Sequence, residues 1–169
     1  QCQAPTQNPT QIPTTRPTST MSQSSAVKLV TSKAIVNQDS GKNVAIYGNT
    51  AVVGAFSNDN SKGSAFVMLR DENGQWLQQA KLLAFDGAAS DYFGRSVAIY
   101  GDTIVVGAYA DDDKGTNSGS AYVFTRSGNT WTHQAKLLAF DGAASDYFGY
   151  SVAIYGDTIV VGAFAECES

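Results

Sequence analysis

The stretch from Lys81 to Gly94 returns unchanged, residue for residue, at Lys136 to Gly149. The stretch from Ser96 to Ala108 returns unchanged at Ser151 to Ala163, and a diverged copy stands at Val44 to Ala55. Self-similarity on this scale marks a repeat architecture. Each unit is one supersecondary block that cannot bury its apolar face alone and covers it with its neighbours. The spacing is 53 residues from Val44 to Val97 and 55 from Ser96 to Ser151. The difference falls in the loop around Asp111 to Ser118, with a one-residue correction before Trp131.

Each unit reads as four short strands. The first is Val97 to Tyr100, and Gly101-Asp102 is a two-residue hairpin loop of a primed type, which needs the positive φ that Gly, Asp and Asn tolerate. Gly48-Asn49 and Gly156-Asp157 stand at the same place. Strand two is Thr103 to Ala108. Strand three is Ser120 to Phe124, matching Ser64 to Val67. Strand four is Trp131 to Leu138, matching Trp76 to Leu83. No helical period of any length interrupts this pattern. Strands such as Ile104-Val105-Val106 are apolar on both faces and must be covered on both, as small stacked sheets do in a propeller. The many Gly and Ala residues let such sheets approach closely.

Residues 1–25 differ in character. All four prolines lie here, Pro5, Pro9, Pro13 and Pro17, one every four residues and each followed by Thr. Proline fixes φ and removes a backbone donor, so an extended polyproline-like arm is expected. Ser/Thr/Pro tracts are also common O-glycosylation targets, which makes Thr6, Thr10, Thr14 and Thr18 the candidate sites. A plain linker is the alternative. The net charge of −4, with no cluster of Lys or Arg, argues against a nucleic-acid partner. No apolar run is long enough to insert into a membrane. The chain starts at Gln1 without a signal-like stretch, so either a targeting peptide has been removed or the sequence is a fragment. The only cysteines, Cys2 and Cys167, stand near the two ends. They are expected to form a disulfide within a chain or between neighbours, with two free thiols as the alternative.

Phe93-Gly94 followed by Val105-Val106-Gly107-Ala108 resembles the FG-GAP repeat, the blade unit of integrin α-subunit propellers and many secreted proteins. The resemblance spans almost everything from residue 26 on and implies an extracellular or cell-surface location. Integrin-type repeats often carry an Asp-x-Asp-x-Asp-Gly calcium loop between the two elements. Here only the Gly101-Asp102 turn stands there, so those ligands do not carry over. Asp86 with Asp91, Asp141 with Asp146, and Asp111-Asp112-Asp113 remain as calcium candidates, and turn capping is their alternative role. No cofactor is otherwise required.

The expected fold is therefore all-β: an arm at residues 1–25, then a repeat domain at 26–169 with units at 26–83, 84–138 and a truncated 139–169. The third unit stops after strand two, whereas Ala26 to Val30 aligns with a strand four, Lys28 matching Lys81. Three blades are too few for a closed propeller, which typically has at least four. The stack is thus expected to be open within one chain. Its partner would then be itself, in a head-to-tail filament made by N-terminal strand donation. A closed oligomeric ring and a fragment of a longer propeller are the alternatives.

Signs of catalysis are few. The single histidine, His133, faces Gln78 in the aligned copy, so the repeat does not need it. No Ser/His/Asp set, phosphate loop or carboxylate pair is apparent, and the chain is expected not to be an enzyme. Trp76, Trp131, Tyr92 and Tyr147 could stack on sugars in an adhesin or lectin that binds glycans or cell-surface proteins, or could wedge between blades.

Overall fold

The computed structural model of the chain describes residues 40–164. The first sheet contains β1 (Val44–Tyr47), β2 (Thr50–Ala55), β3 (Ser64–Arg70) and β4 (Trp76–Leu82), hydrogen-bonded in that order and antiparallel throughout. A four-residue turn, Asn58–Ser61, with positive φ at Asp59, Asn60 and Ser61, sits between β2 and β3. The second sheet repeats the order with β5 (Ser96–Tyr100), β6 (Thr103–Ala108), β7 (Ser120–Ser127) and β8 (Thr130–Leu137). The third holds only β9 (Ser151–Tyr155) and β10 (Thr158–Gly162) among the described residues. The fold is all-β, built of open propeller-type blades. The arm, the segment Ala26 to Val30, and Cys2 and Cys167 lie outside the described residues.

The Gly-Asp and Gly-Asn loops close their hairpins as expected. Gly48, Gly101 and Gly156 carry φ of 57°, 58° and 57°. The residues after them keep negative φ, so of the two primed turns this is the II′ kind, which asks for Gly at its first central position alone. Strand three extends past its expected end, to Arg70 in the first blade and Ser127 in the second. Strand four carries a bulge at the same place in both. Val67 pairs with Ala80 and Met68 with Gln78, leaving Gln79 as the extra residue. Val123 pairs with Ala135 and Phe124 with His133, leaving Gln134. A bulge shared by two copies is a property of the unit rather than an accident of one strand.

The main core lies between the first two sheets. Val52, Ala65 and Val67 on one side meet Phe93, Ile104, Val106, Tyr122 and Phe124 on the other. Burying each large apolar side chain contributes about 1.5–3 kcal/mol. The far face of the first sheet carries a second buried cluster of Ala51, Val53, Ala55, Phe66 and Met68.

Candidate functional site

Consecutive blades are joined by one device used twice. The chain entering the second blade lays Tyr92 and Phe93 alongside the loop of the first, with Tyr92 N–H donating to Ser61 O at 2.9 Å and Phe93 N–H to Lys62 O at 3.1 Å. Entering the third blade, Tyr147 N–H donates to Asn117 O at 3.0 Å and Phe148 N–H to Ser118 O at 2.9 Å. The glycine that follows then packs backbone against backbone. A Cβ on Gly54 would overlap the carbonyl oxygen of Gly94, and one on Gly107 would overlap that of Gly149. Asn43 donates its amide to Arg95 O in the first joint, and Ser96 Oγ donates to Gly149 O at 2.8 Å in the second. Tyr47, Tyr100 and Tyr155 form a ladder, with ring centroids 4.9 and 5.1 Å apart.

The expected acidic candidates gather partly around one lysine. Lys136 lies opposite Tyr122 in the β7–β8 pairing. Its Nζ stands 2.8 Å from Asp86, 2.9 Å from Asp111 and 2.7 Å from Asp113. The Tyr122 hydroxyl is 2.7 Å from Asp86 and 2.9 Å from Asp111, and Ser120 Oγ donates to Asp111 at 3.1 Å. Lys136, Asp86, Asp111 and Asp113, with Asp91, Asp112 and Asn117, line a cleft of about 310 Å³. Burial works against ionising Asp86, but the hydrogen bonds from Lys136 and Tyr122 and the ammonium charge outweigh it and hold its carboxyl below the usual range. Burial likewise opposes the charge on Lys136, but Asp113, Asp86 and Asp111 raise its pKa well above that of an ordinary lysine. Burial, together with its carboxylate neighbours, pushes the Tyr122 hydroxyl up.

Of the other candidates Asp141 is exposed, and the remaining three serve turns. Asp91 accepts from Ala88 N–H and Asp146 from Ala143 N–H, each at 2.6 Å, and Asp112 accepts from Asn117 N–H at 2.7 Å. Burial raises the pKa of Asp91, supported by the charges of Asp111 and Asp112. Among the described residues, no three His, Cys, Asp or Glu side chains converge to hold a metal, and the cation between Asp86, Asp111 and Asp113 is the Lys136 ammonium. Neither Lys136 nor Tyr122 was among the sequence candidates. The signal was a concerted difference between repeats. Where the second blade has Asp111 and Tyr122, the first has Asn58 and Phe66, and Lys81 lies 5.7 Å over the Phe66 ring.

The aromatic candidates divide. Trp131 packs against the main core and donates its indole N–H to Gln79 of the neighbouring sheet at 3.0 Å, with Arg126 over its ring. Trp76 packs on the second cluster. Tyr92 stacks on Tyr109 at 5.2 Å, and Tyr109 leads on to Tyr147 and Tyr150. His133 is exposed against Phe85, Tyr122 and Phe124.

The model of the FG-GAP repeat matches residues 24–68, 76–124 and 131–168. The chain belongs to the FG-GAP repeat family. No curated protein matches it in sequence. In the second and third FG-GAP units of this chain, the glycine of the first element fills the gap left by the glycine of the second element in the preceding blade.

The third FG-GAP unit has no occupant for that gap among the described residues. Ser151 to Ala163 is identical to Ser96 to Ala108, yet Val105 is fully buried and its counterpart Val160 is 61% exposed. Tyr155 is 78% exposed, and Ser151 is exposed where Ser96 is buried. β6 pairs on both sides, with β5 and β7, whereas β10 pairs only with β9 among the described residues.

Proposed function

We propose that this chain is an extracellular structural subunit that assembles head to tail into a filament, each copy completing the half-blade of its neighbour with its N-terminal segment. The observation that carries this reading is the contrast between β5–β6 and β9–β10. One sequence is buried between neighbours in the first case; in the second it presents an apolar face and a strand edge with no partner among the described residues. Exposed edges of this kind template pairing with another chain. The segment from about Gln11 to Val30 is the proposed donor, because Ala26 to Val30 aligns with strand four of the unit.

Charge supports the same register. Lys28 aligns with Lys81 and Lys136, and Asp141 is the counterpart of Asp86, which Lys136 binds. Asp141 is exposed and has no ion pair among the described residues. In the assembled filament Lys28 of one copy faces Asp141 of the next. Charge reversal tests it. Asp141→Lys alone should shorten or abolish filaments seen by negative-stain microscopy, and adding Lys28→Asp should restore them. Filaments indifferent to Asp141→Lys, or a full-length chain that stays monomeric at high concentration, reject the reading.

The same proposal covers the ends of the chain. Thr6, Thr10, Thr14 and Thr18 carry O-glycans, and Cys2 and Cys167 are oxidised within or between copies. Intact mass and non-reducing peptide maps of native material test both; a bare peptide mass or two free thiols counts against them. A structural role rather than catalysis belongs to this reading, as does the absence of any required cofactor. A carbohydrate-binding role has less support, since Trp131 is held by Gln79 and Arg126. Specific binding of one sugar on a glycan array would favour it instead.

A further inference from the structure

We propose that the exposed face of the third blade, formed by Ser151, Tyr155, Val160 and the notch at Gly162, is a docking site for the first blade of a second copy, at Gly41 to Tyr47. The inference rests on the head-to-tail reading and adds to it a joint that strand donation does not require.

The argument is continuity with the two joints inside the chain. Each joint needs a glycine notch, a polar side chain beside it, an incoming glycine carbonyl and a tyrosine step. Gly54, Asn43, Gly94 and the Tyr47–Tyr100 pair supply them in the first; Gly107, Ser96, Gly149 and the Tyr100–Tyr155 pair supply them in the second. The third blade holds the receiving half of a further joint. Among the described residues, a Cβ on Gly162 would meet only atoms of Ser151, and no incoming backbone fills the notch. Ser151 stands beside Gly162 as Ser96 stands beside Gly107. Tyr155 is at the open end of the tyrosine ladder.

The first blade holds the matching incoming half. Gly41 N–H donates to Gly54 O at 3.0 Å, as Gly94 does to Gly107 O at 3.0 Å and Gly149 to Gly162 O at 3.1 Å. Gly41 therefore has the place in its blade that Gly94 and Gly149 have in theirs, and it is exposed. Val44 and Ile46, 61% and 65% exposed, correspond to Val97 and Ile99, which pack on the core of the first joint. One end thus presents a bare notch with apolar surroundings, and the other presents the carbonyl and apolar strand that fill such a notch twice already. The fit selects a second copy of this chain over an unrelated partner.

Cross-linking locates the contact. Full-length chains carrying Tyr47→Cys are mixed with chains carrying Tyr155→Cys, treated with a short thiol cross-linker, and mapped by mass spectrometry. A link between positions 47 and 155 can form only between copies, and it is the expected result. Alongside it, Gly162→Val should weaken association at least tenfold by sedimentation. Its melting temperature should stay near that of the parent, because the first added carbon meets only Ser151, whose exposed hydroxyl can rotate away. Assembled material without the 47–155 link, or Gly162→Val chains that assemble like the parent, overturns the joint and leaves strand donation standing. A parent chain that never assembles overturns both. Assembly lost on Asp141→Lys with the 47–155 link still forming in residual dimers supports this joint and isolates the failure to the donated strand.

Discussion

Trp131 donates its indole N–H to the side-chain carbonyl of Gln79, 3.0 Å away in the preceding blade. Gln79 is the bulged residue of β4, left out of the ladder between Ala80 and Gln78. The bulge thus frees one side chain from the regular alternation, and the next blade uses it. This ties a local irregularity of strand four to the spacing between sheets.

The pair predicts a measurable coupling. Gln79→Leu leaves the indole N–H without its acceptor, and Trp131→Phe removes the donor, so each should cost about 1 kcal/mol in denaturant unfolding. The double variant should cost less than the sum, with an interaction energy of about 0.5–1.5 kcal/mol. Strict additivity would mean that the bond contributes nothing to holding the blades together.

The Lys136 cluster predicts how stability follows pH. The pKa of Lys136 is raised in the fold, so its contribution is fully present below the unfolded value of about 10.5 and is lost as pH rises toward the folded value. The pKa of Asp86 is lowered, so its contribution is present above about pH 4 and is lost as pH falls through the folded value. Asp91 runs the other way: its raised pKa favours the protonated form in the fold, which partly offsets the loss on acidification. Lys136→Met should flatten the alkaline limb. Because the variant leaves the buried Asp111 carboxylate without its ammonium partner, it should also cost about 3 kcal/mol at neutral pH. An unchanged alkaline limb in chemical denaturation would reject this account.

The first blade suggests how the cost of that variant can be relieved. Asn58 donates to Ser64 Oγ at 2.9 Å, where Asp111 accepts from Ser120, and Phe66 replaces Tyr122. Adding Asp111→Asn and Tyr122→Phe to Lys136→Met removes the stranded buried charge and hydroxyl together. The triple variant should recover about 1–2 kcal/mol relative to Lys136→Met alone. If it unfolds more readily than the single variant, the cluster's energetics do not rest on charge pairing.

Much of this was legible in the sequence because the repeat repeats its physics. The four strands, the Gly-Asp hairpins and the three successive units follow from alternation, turn chemistry and alignment. The bulges were not legible: Gln79 and Gln134 look like ordinary members of a strand, and only pairing reveals them as extra. Nor was the role of Lys136, whose three carboxylate partners come from the loop before β5 and the loop after β6. Those loops meet only when the blade closes. The candidate Asp residues were visible as a group, but which of them bind Lys136 and which cap turns depends on that closure.

Gly107 and Gly162 offer the most direct test of what a joint requires, because they occupy the same position in identical sequence. Neither has positive φ, so an added methyl is judged by space alone. On Gly107 it would overlap the backbone carbonyl of Gly149 as well as the Ser96 hydroxyl, and backbone on both sides leaves little room to yield. On Gly162 it would meet only the Ser151 hydroxyl, at the exposed end of a side chain that can rotate away. Gly107→Ala should therefore destabilise the fold by about 2–3 kcal/mol through overpacking, whereas Gly162→Ala should stay within about 0.5 kcal/mol, as substitutions away from packed features do. Unfolding is to be measured at low concentration, where copies do not associate. Equal losses at the two positions would show that the notch serves the blade itself rather than the contact between blades.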